Sequence, residues 1–156
     1  MMRDETYYVD FVLANATESA TVLTGIDALV VNGLSTTSFT VPTIFTEIKE
    51  IHQLKVAGRI TYFYLPNIDT KNYLHPTPIV NRIYMPIAER AIVELIRDDL
   101  WSIDEGEFLD GLGTYISWKE EYNYKLLLEV ANHFGVSKDK IDYWIKEAED
   151  YMKNPY

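Results

Sequence analysis

No cysteine occurs in the 156 residues. That single absence excludes disulfides, thiolate zinc sites, iron–sulfur clusters and a cysteine nucleophile. Glycine is scarce, seven residues that never stand side by side, so neither the GxGxxG dinucleotide turn nor the phosphate-cradling P-loop is present. A GxSxG nucleophile elbow is also missing, as is the Gly-Ser with paired strand aspartates that nucleotidyl transfer needs. No apolar run approaches the ~20 residues of a membrane span. The opening MMRDETYYVDF lacks the basic-then-apolar order of a secretory signal. A cytoplasmic protein without a membrane partner is therefore expected. Positive charge is the other shortage: 14 Lys and Arg stand against 24 Asp and Glu, a formal net charge of −10. Nucleic-acid binders draw most of their affinity from a basic stripe that releases counterions, so direct binding of nucleic acid is not expected.

What the chain has is apolar and aromatic material. Hydrophobic residues make up 47% and aromatics 13%, with 12 Tyr and 3 Trp, far above a disordered composition. At this length a core needs no metal or disulfide staple. No linker, repeat or low-complexity run appears, so residues 1–156 are expected to form one domain. Its charge is uneven. Residues 1–27 carry one Arg against five acids and 86–110 two Arg against eight, whereas 28–85 hold five Lys or Arg against three acids.

Periodicity divides the chain into a helix plus a strand-rich part (18–85) and a helical part (86–156). A first helix is predicted after Asn15-Ala16-Thr17, capped by Thr17 or Ser19, with Val22, Ile26, Leu29 and Val30 on one face. Gly33 stands where a left-handed C-terminal cap belongs. A shorter helix through Tyr8, Phe11 and Val12 precedes it. Residues 35–41 read as a strand, Ile44 to Leu54 as a short helix, and Arg59 to Leu65 as the strongest strand. Asp69 to Asn81 reads as loop, followed by a short strand at 82–84. Pro86 suits a first helical position, opening a stripe of Ile87, Ala91, Ile92, Leu95 and Ile96. Ser102 with Glu105 and Ser117 with Glu120 read as capping boxes. The first opens a short helix through Phe108, Leu109 and Leu112. The second opens a helix closed by Gly135, and Ser137 starts the last one. These elements predict an α+β fold: a small antiparallel sheet in mid-chain, packed by an N-terminal helix and a C-terminal bundle of about four helices.

Few residues suggest chemistry. His52, His75 and His133 are far apart and never at the i, i+4 spacing of a helical zinc pair. Asp104, Glu105, Glu107 and Asp110 form the densest acidic group, but the EF-hand pattern is absent and acids suit a helix N-terminus. No catalytic residue, metal ligand or cofactor site is assigned. A metal-dependent enzyme drawing a carboxylate pair from Asp27, Asp104 and Glu107, with magnesium or calcium held by such oxygen ligands, stays as an alternative. Trp118, Tyr122, Tyr124, Tyr143, Trp144 and Tyr151 are unusually dense. Trp118, Tyr122 and Trp144 sit at core spacing, whereas Tyr124 and Tyr143 lie off the stripes. With Glu105 and Glu107 they are the candidate partner-binding residues. Exposed aromatics equally suit a homo-oligomer.

Two segments resemble a known family. TGIDALVVNGLS (24–35) is similar to the A-L-x-x-x-G-L helix and turn of AbiEi-type antitoxins, and MPIAERAIVELI (85–96) to their E-R-A/T-x-x-D helix. The order of elements also agrees over about residues 18–150, through an F-G turn at Phe134-Gly135. These antitoxins belong to type IV toxin–antitoxin and abortive-infection systems, so the resemblance implies a prokaryotic or phage protein. Full-length members carry an N-terminal winged helix, for which residues before 18 leave no room. The resemblance thus implies the effector part alone, with a nucleotidyltransferase-like toxin as the protein partner. Residue by residue it covers Gly33, Glu89 and Arg90, all in structural roles, with an Arg90 ion pair expected between helix and sheet. The functional expectation is a non-catalytic module whose aromatic and acidic face neutralises or regulates a basic partner. Its alternative is an acidic inhibitor that competes with nucleic acid for a basic groove, of the anti-defence type.

Overall fold

The computed structural model describes residues 21–23, 25–35, 43–46, 61–64, 69–76, 83–100 and 103–154. Among them are five helices: α1 (Gly25–Val31), α2 (Ala88–Arg97), α3 (Glu105–Ser117), α4 (Tyr124–His133) and α5 (Lys138–Lys153). Strand among the described residues comes in four pieces of two to four residues, β1 (Thr21–Leu23), β2 (Thr43–Thr46), β3 (Thr61–Tyr64) and β4 (Ile83–Tyr84). The described part is mostly helical, which corrects the expected α+β class. The short strands lie in the order β3-β2-β1-β4. Only β1 with β2 runs antiparallel, while β1 with β4 and β2 with β3 run parallel. An antiparallel sheet as the packing surface is thereby overturned.

The physical reason lies in the core. The buried apolar cluster runs from Ala28, Leu29 and Leu34 through Ala91, Ile92, Val93, Leu95, Ile96, Phe108, Leu112 and Tyr115 to Leu127, Val130, Ile141 and Ala148. Every member comes from a helix or the turn beside it, so helix packs on helix. The main pairs are α3 with α5, α2 with α4 and α1 with α2. Central α2 is buried on all sides from Glu89 to Ile96. A helix so enclosed forces its charged residues to find partners inside.

Several boundaries differ from expectation. Thr21–Leu23 is strand, and the first helix begins only at Gly25. Residues 43–46 are strand where the spacing of Ile44, Ile48 and Ile51 suggested helix. Pro86 precedes the N-cap Ile87 and bridges Leu74. Ser117 does not open a helix: it ends α3, and its hydroxyl donates to Thr114 O at 2.7 Å. The cap of α4 is Asn123, whose side chain accepts from Leu126 N, and α3 is capped by Asp104. Ser137 does cap α5, accepting from Lys140 N. Gly33 and Gly135 adopt φ of 74° and 75°, each closing a helix with the paired bonds of a Schellman turn. The helix at 8–12, the strand at 36–41, residues 47–54 and Ser102 lie outside the described residues. Among the described residues no helix is long and apolar enough to cross a membrane.

Candidate functional site

The main concentration of buried charge stands on α2. Arg90 is wholly enclosed, at 0% exposure, beside buried Glu89 and Glu94. Its Nε donates to Glu94 Oε1 at 3.2 Å, one turn further along the helix. The two terminal nitrogens donate to backbone carbonyls, Asn72 O at 2.8 Å and Asp69 O at 2.7 Å. The planar guanidinium thus spends three directions at once, and it also lies over the Phe134 ring, 4.9 Å from the centroid. The Arg90 ion pair was expected to join helix to sheet. Instead it lies within α2, and the cross-link runs to the 69–76 loop. Arg97 adds a second contact to Glu94 at 3.6 Å. Burial pushes the Glu94 carboxyl up, against the pull of Arg90 and Arg97.

Glu89 faces the other way and accepts the phenolic hydrogen of Tyr115 from α3. The Tyr115 oxygen in turn accepts the Asn123 N–H at 3.0 Å. Burial first, and then the Glu89 carboxylate, push the Tyr115 hydroxyl up. One phenol thereby joins α2, α3 and the cap of α4. Tyr115 was not singled out by sequence reasoning, and Glu94 entered only as standing near the aspartate of the E-R-A/T-x-x-D pattern. A signal was there: Arg90 and Glu94 form an i, i+4 charge pair inside an apolar stripe.

The 69–76 loop closes over this cluster. Asp69 accepts from Lys71 N, Asn72 N and Asn72 Nδ2 at 2.9–3.0 Å, and His133 Nε2 meets its Oδ2 at 2.6 Å. Partial burial raises the Asp69 carboxyl. The donors from Lys71, Asn72 and His133 outweigh it and hold the group well below the usual carboxylate range. Tyr73 donates to Glu129 at 3.0 Å and sets its ring edge-on to His133. At the far end His75 Nε2 meets Asn32 Oδ1 at 2.9 Å. The Asn32 amide is already donating to Ala28 O and Pro86 O, which leaves the imidazole as donor. Two of the three histidines therefore tie one loop at its two ends; His52 lies outside the described residues.

The partner-binding candidates have different fates. Tyr124, first residue of α4, donates to Asp142 Oδ1 at 2.5 Å, and Lys138 Nζ meets the other oxygen at 2.6 Å. The bond to Asp142 raises the Tyr124 hydroxyl. Tyr124 is thus engaged as a strut between α4 and α5. Tyr143 is 55% exposed. Glu105 and Glu107 stand in the first turn of α3, next to the cap Asp104. Phe108 on α3 meets Trp144 on α5, which sets the two helices side by side. Glu89, Arg90 and Gly33 are placed structurally, as described. The Asp27 side chain lies outside the described residues. Among the described residues no group of three or more His, Cys, Asp or Glu is arranged to hold a metal ion.

The buried cluster is chemically self-contained. Its carboxylates and guanidinium bind one another, a phenol and the backbone, an arrangement suited to holding a loop in place. No family model matches this chain, and no curated protein matches it.

Proposed function

We propose that this chain is a non-catalytic protein-binding module, similar to an antitoxin effector domain, that neutralises or regulates a basic partner protein in the cytoplasm. The observation that carries the reading is how charge is partitioned. Inside, Glu89, Arg90 and Glu94 are matched by partners. Outside, residues 103–154 carry twelve acids against six lysines, most of them exposed. A scaffold with satisfied interior charge and surplus exterior negative charge steers cationic proteins at long range. The resemblance of 24–35 and 85–96 to AbiEi-type antitoxins names the partner class, a nucleotidyltransferase-like toxin.

The test is co-purification of the tagged full chain from its source organism. Capture of one cationic protein at about equal stoichiometry is the expected result. Nothing captured above bare beads would overturn the reading.

A further inference from the structure

Resting on that reading, we propose that the outer stripe of α5 around Tyr143 is the docking face, and that its occupant is an arginine- and lysine-rich segment of the partner protein. Helix α5 turns Ile141 and Ala148 into the core. At 100° per residue Tyr143 then faces outward, with Asp139 one turn before it and Glu147 and Asp150 one and two turns after. Asp139 and Asp150 are exposed and Glu147 is half-buried.

The Tyr143 ring is exposed but braced. It stands edge-on to Trp144 at 5.2 Å, and Trp144 stands edge-on to Phe108 at 5.4 Å. Phe108 is fully buried on α3. A ladder of three rings thus runs from core to surface. An aromatic held in this way loses little freedom when a partner covers it, which is the property of an interface anchor.

Charge then selects the occupant. Of the four lysines on α5, Lys138 is engaged with Asp142 at 2.6 Å, and Lys140 reaches Asp99 at 3.7 Å. Lys153 stands in the last turn, where it complements the helix C-terminus. The stripe is left with Asp139, Glu147 and Asp150 against Lys146. A guanidinium can stack on the tyrosine face while its neighbours pair with carboxylates on either side. The net charge of −10 draws such a segment in and repels an acidic one.

The test uses the full chain and a fluorescent synthetic peptide of alternating Arg and Lys, read by anisotropy at moderate salt. Tyr143→Ala should weaken binding by about tenfold, and Tyr143→Phe by less than about twofold, because the ring face is retained. Asp139→Asn with Asp150→Asn should cost about fivefold. The same charge change at Glu120→Gln with Glu121→Gln, in the turn after α3 and not on the stripe, should cost at most about twofold. Unchanged binding by Tyr143→Ala, or equal losses from the two acid pairs, would overturn the docking face and leave only bulk attraction. The outcomes separate from those of the co-purification. A cellular partner retained by Tyr143→Ala sinks this face alone. Peptide docking at Tyr143 with no cellular partner sinks the antitoxin-like function alone.

Discussion

Tyr115 donates its hydroxyl hydrogen to Glu89 while the same oxygen accepts the Asn123 N–H. Tyr115→Phe keeps the ring and its edge contacts with Trp118 and Tyr122 but leaves the buried Glu89 carboxylate and the part-buried Asn123 N–H without their partner. A hydrogen bond to a charged group contributes about 1.5–3 kcal/mol and an orphaned donor adds a similar cost, so the loss should be roughly 2–4 kcal/mol. Urea unfolding gives the number. Glu89→Gln retains an acceptor oxygen and should cost less than Glu89→Leu; the reverse order would mean that Tyr115 is not the donor.

Arg90 holds the loop as well as the helix. Arg90→Met leaves the buried Glu94 charge with only its longer contact to Arg97 at 3.6 Å, and breaking one side of a buried pair costs up to about 3–5 kcal/mol. Adding Glu94→Leu should return only part of this, because the carbonyls of Asp69 and Asn72 remain unpaired. Arg90→Lys offers a point charge in place of a fork and should not rescue. Hydrogen exchange supplies a local readout: the His75 and Ile87 amides, bonded to Met85 O and Tyr73 O, should lose protection in Arg90→Met. Protection equal to wild type would place the loop's anchor elsewhere.

Two glycines of α3 mark close approaches of different kinds. A Cβ at Gly111 would lie 2.9 Å from the backbone oxygen of Leu34. At Gly113 it would meet Met152 Cγ at 2.8 Å and Sδ at 2.9 Å, on a side chain that is 48% exposed and able to swing away. Alanine gains roughly 0.5–1 kcal/mol over glycine in a helix. Gly113→Ala should therefore stay within about 1 kcal/mol of wild type, and Gly111→Ala should lose about 1–3 kcal/mol to overpacking. Equal melting temperatures for the two variants would contradict this geometry.

These glycines also show why the sequence was only partly legible. Gly33, Gly135 and Ser137 act through local backbone chemistry, and their positions could be read directly. Helix α3 was read as short, with Ser117 taken to open the next helix, and Gly106, Gly111 and Gly113 do weaken its propensity. Packing against Leu29, Leu34 and Met152 overrides that. The end of α2 carries no glycine either: its left-handed residues are Asp99 and Leu100, φ 54° and 55°, and aspartate tolerates this conformation without advertising it as glycine does. Ser117 resembled a cap, but its hydroxyl turns back to the preceding turn, a competing bond that spacing does not reveal. The candidate site divides similarly. The exposure of Tyr143 follows from helical phase, which the sequence carries. The engagement of Tyr124 by Asp142, and the meeting of Glu89 with Tyr115, depend on tertiary packing across helices and had no local signal.

Asp69 sets the acid limit of the loop. Its folded carboxyl lies below the ordinary value because the Lys71 and Asn72 amides and His133 favour the charged form over the opposing effect of burial. A group with a depressed folded value contributes stability that is complete above its unfolded value of about 4, and that fades as pH falls below it. Asp69→Asn cannot titrate. It should be less stable than wild type at pH 7, and the gap should narrow steadily from about pH 4 to about pH 2. Urea midpoints taken across that range decide the matter. A gap of constant size would show that the contribution of Asp69 is independent of its charge.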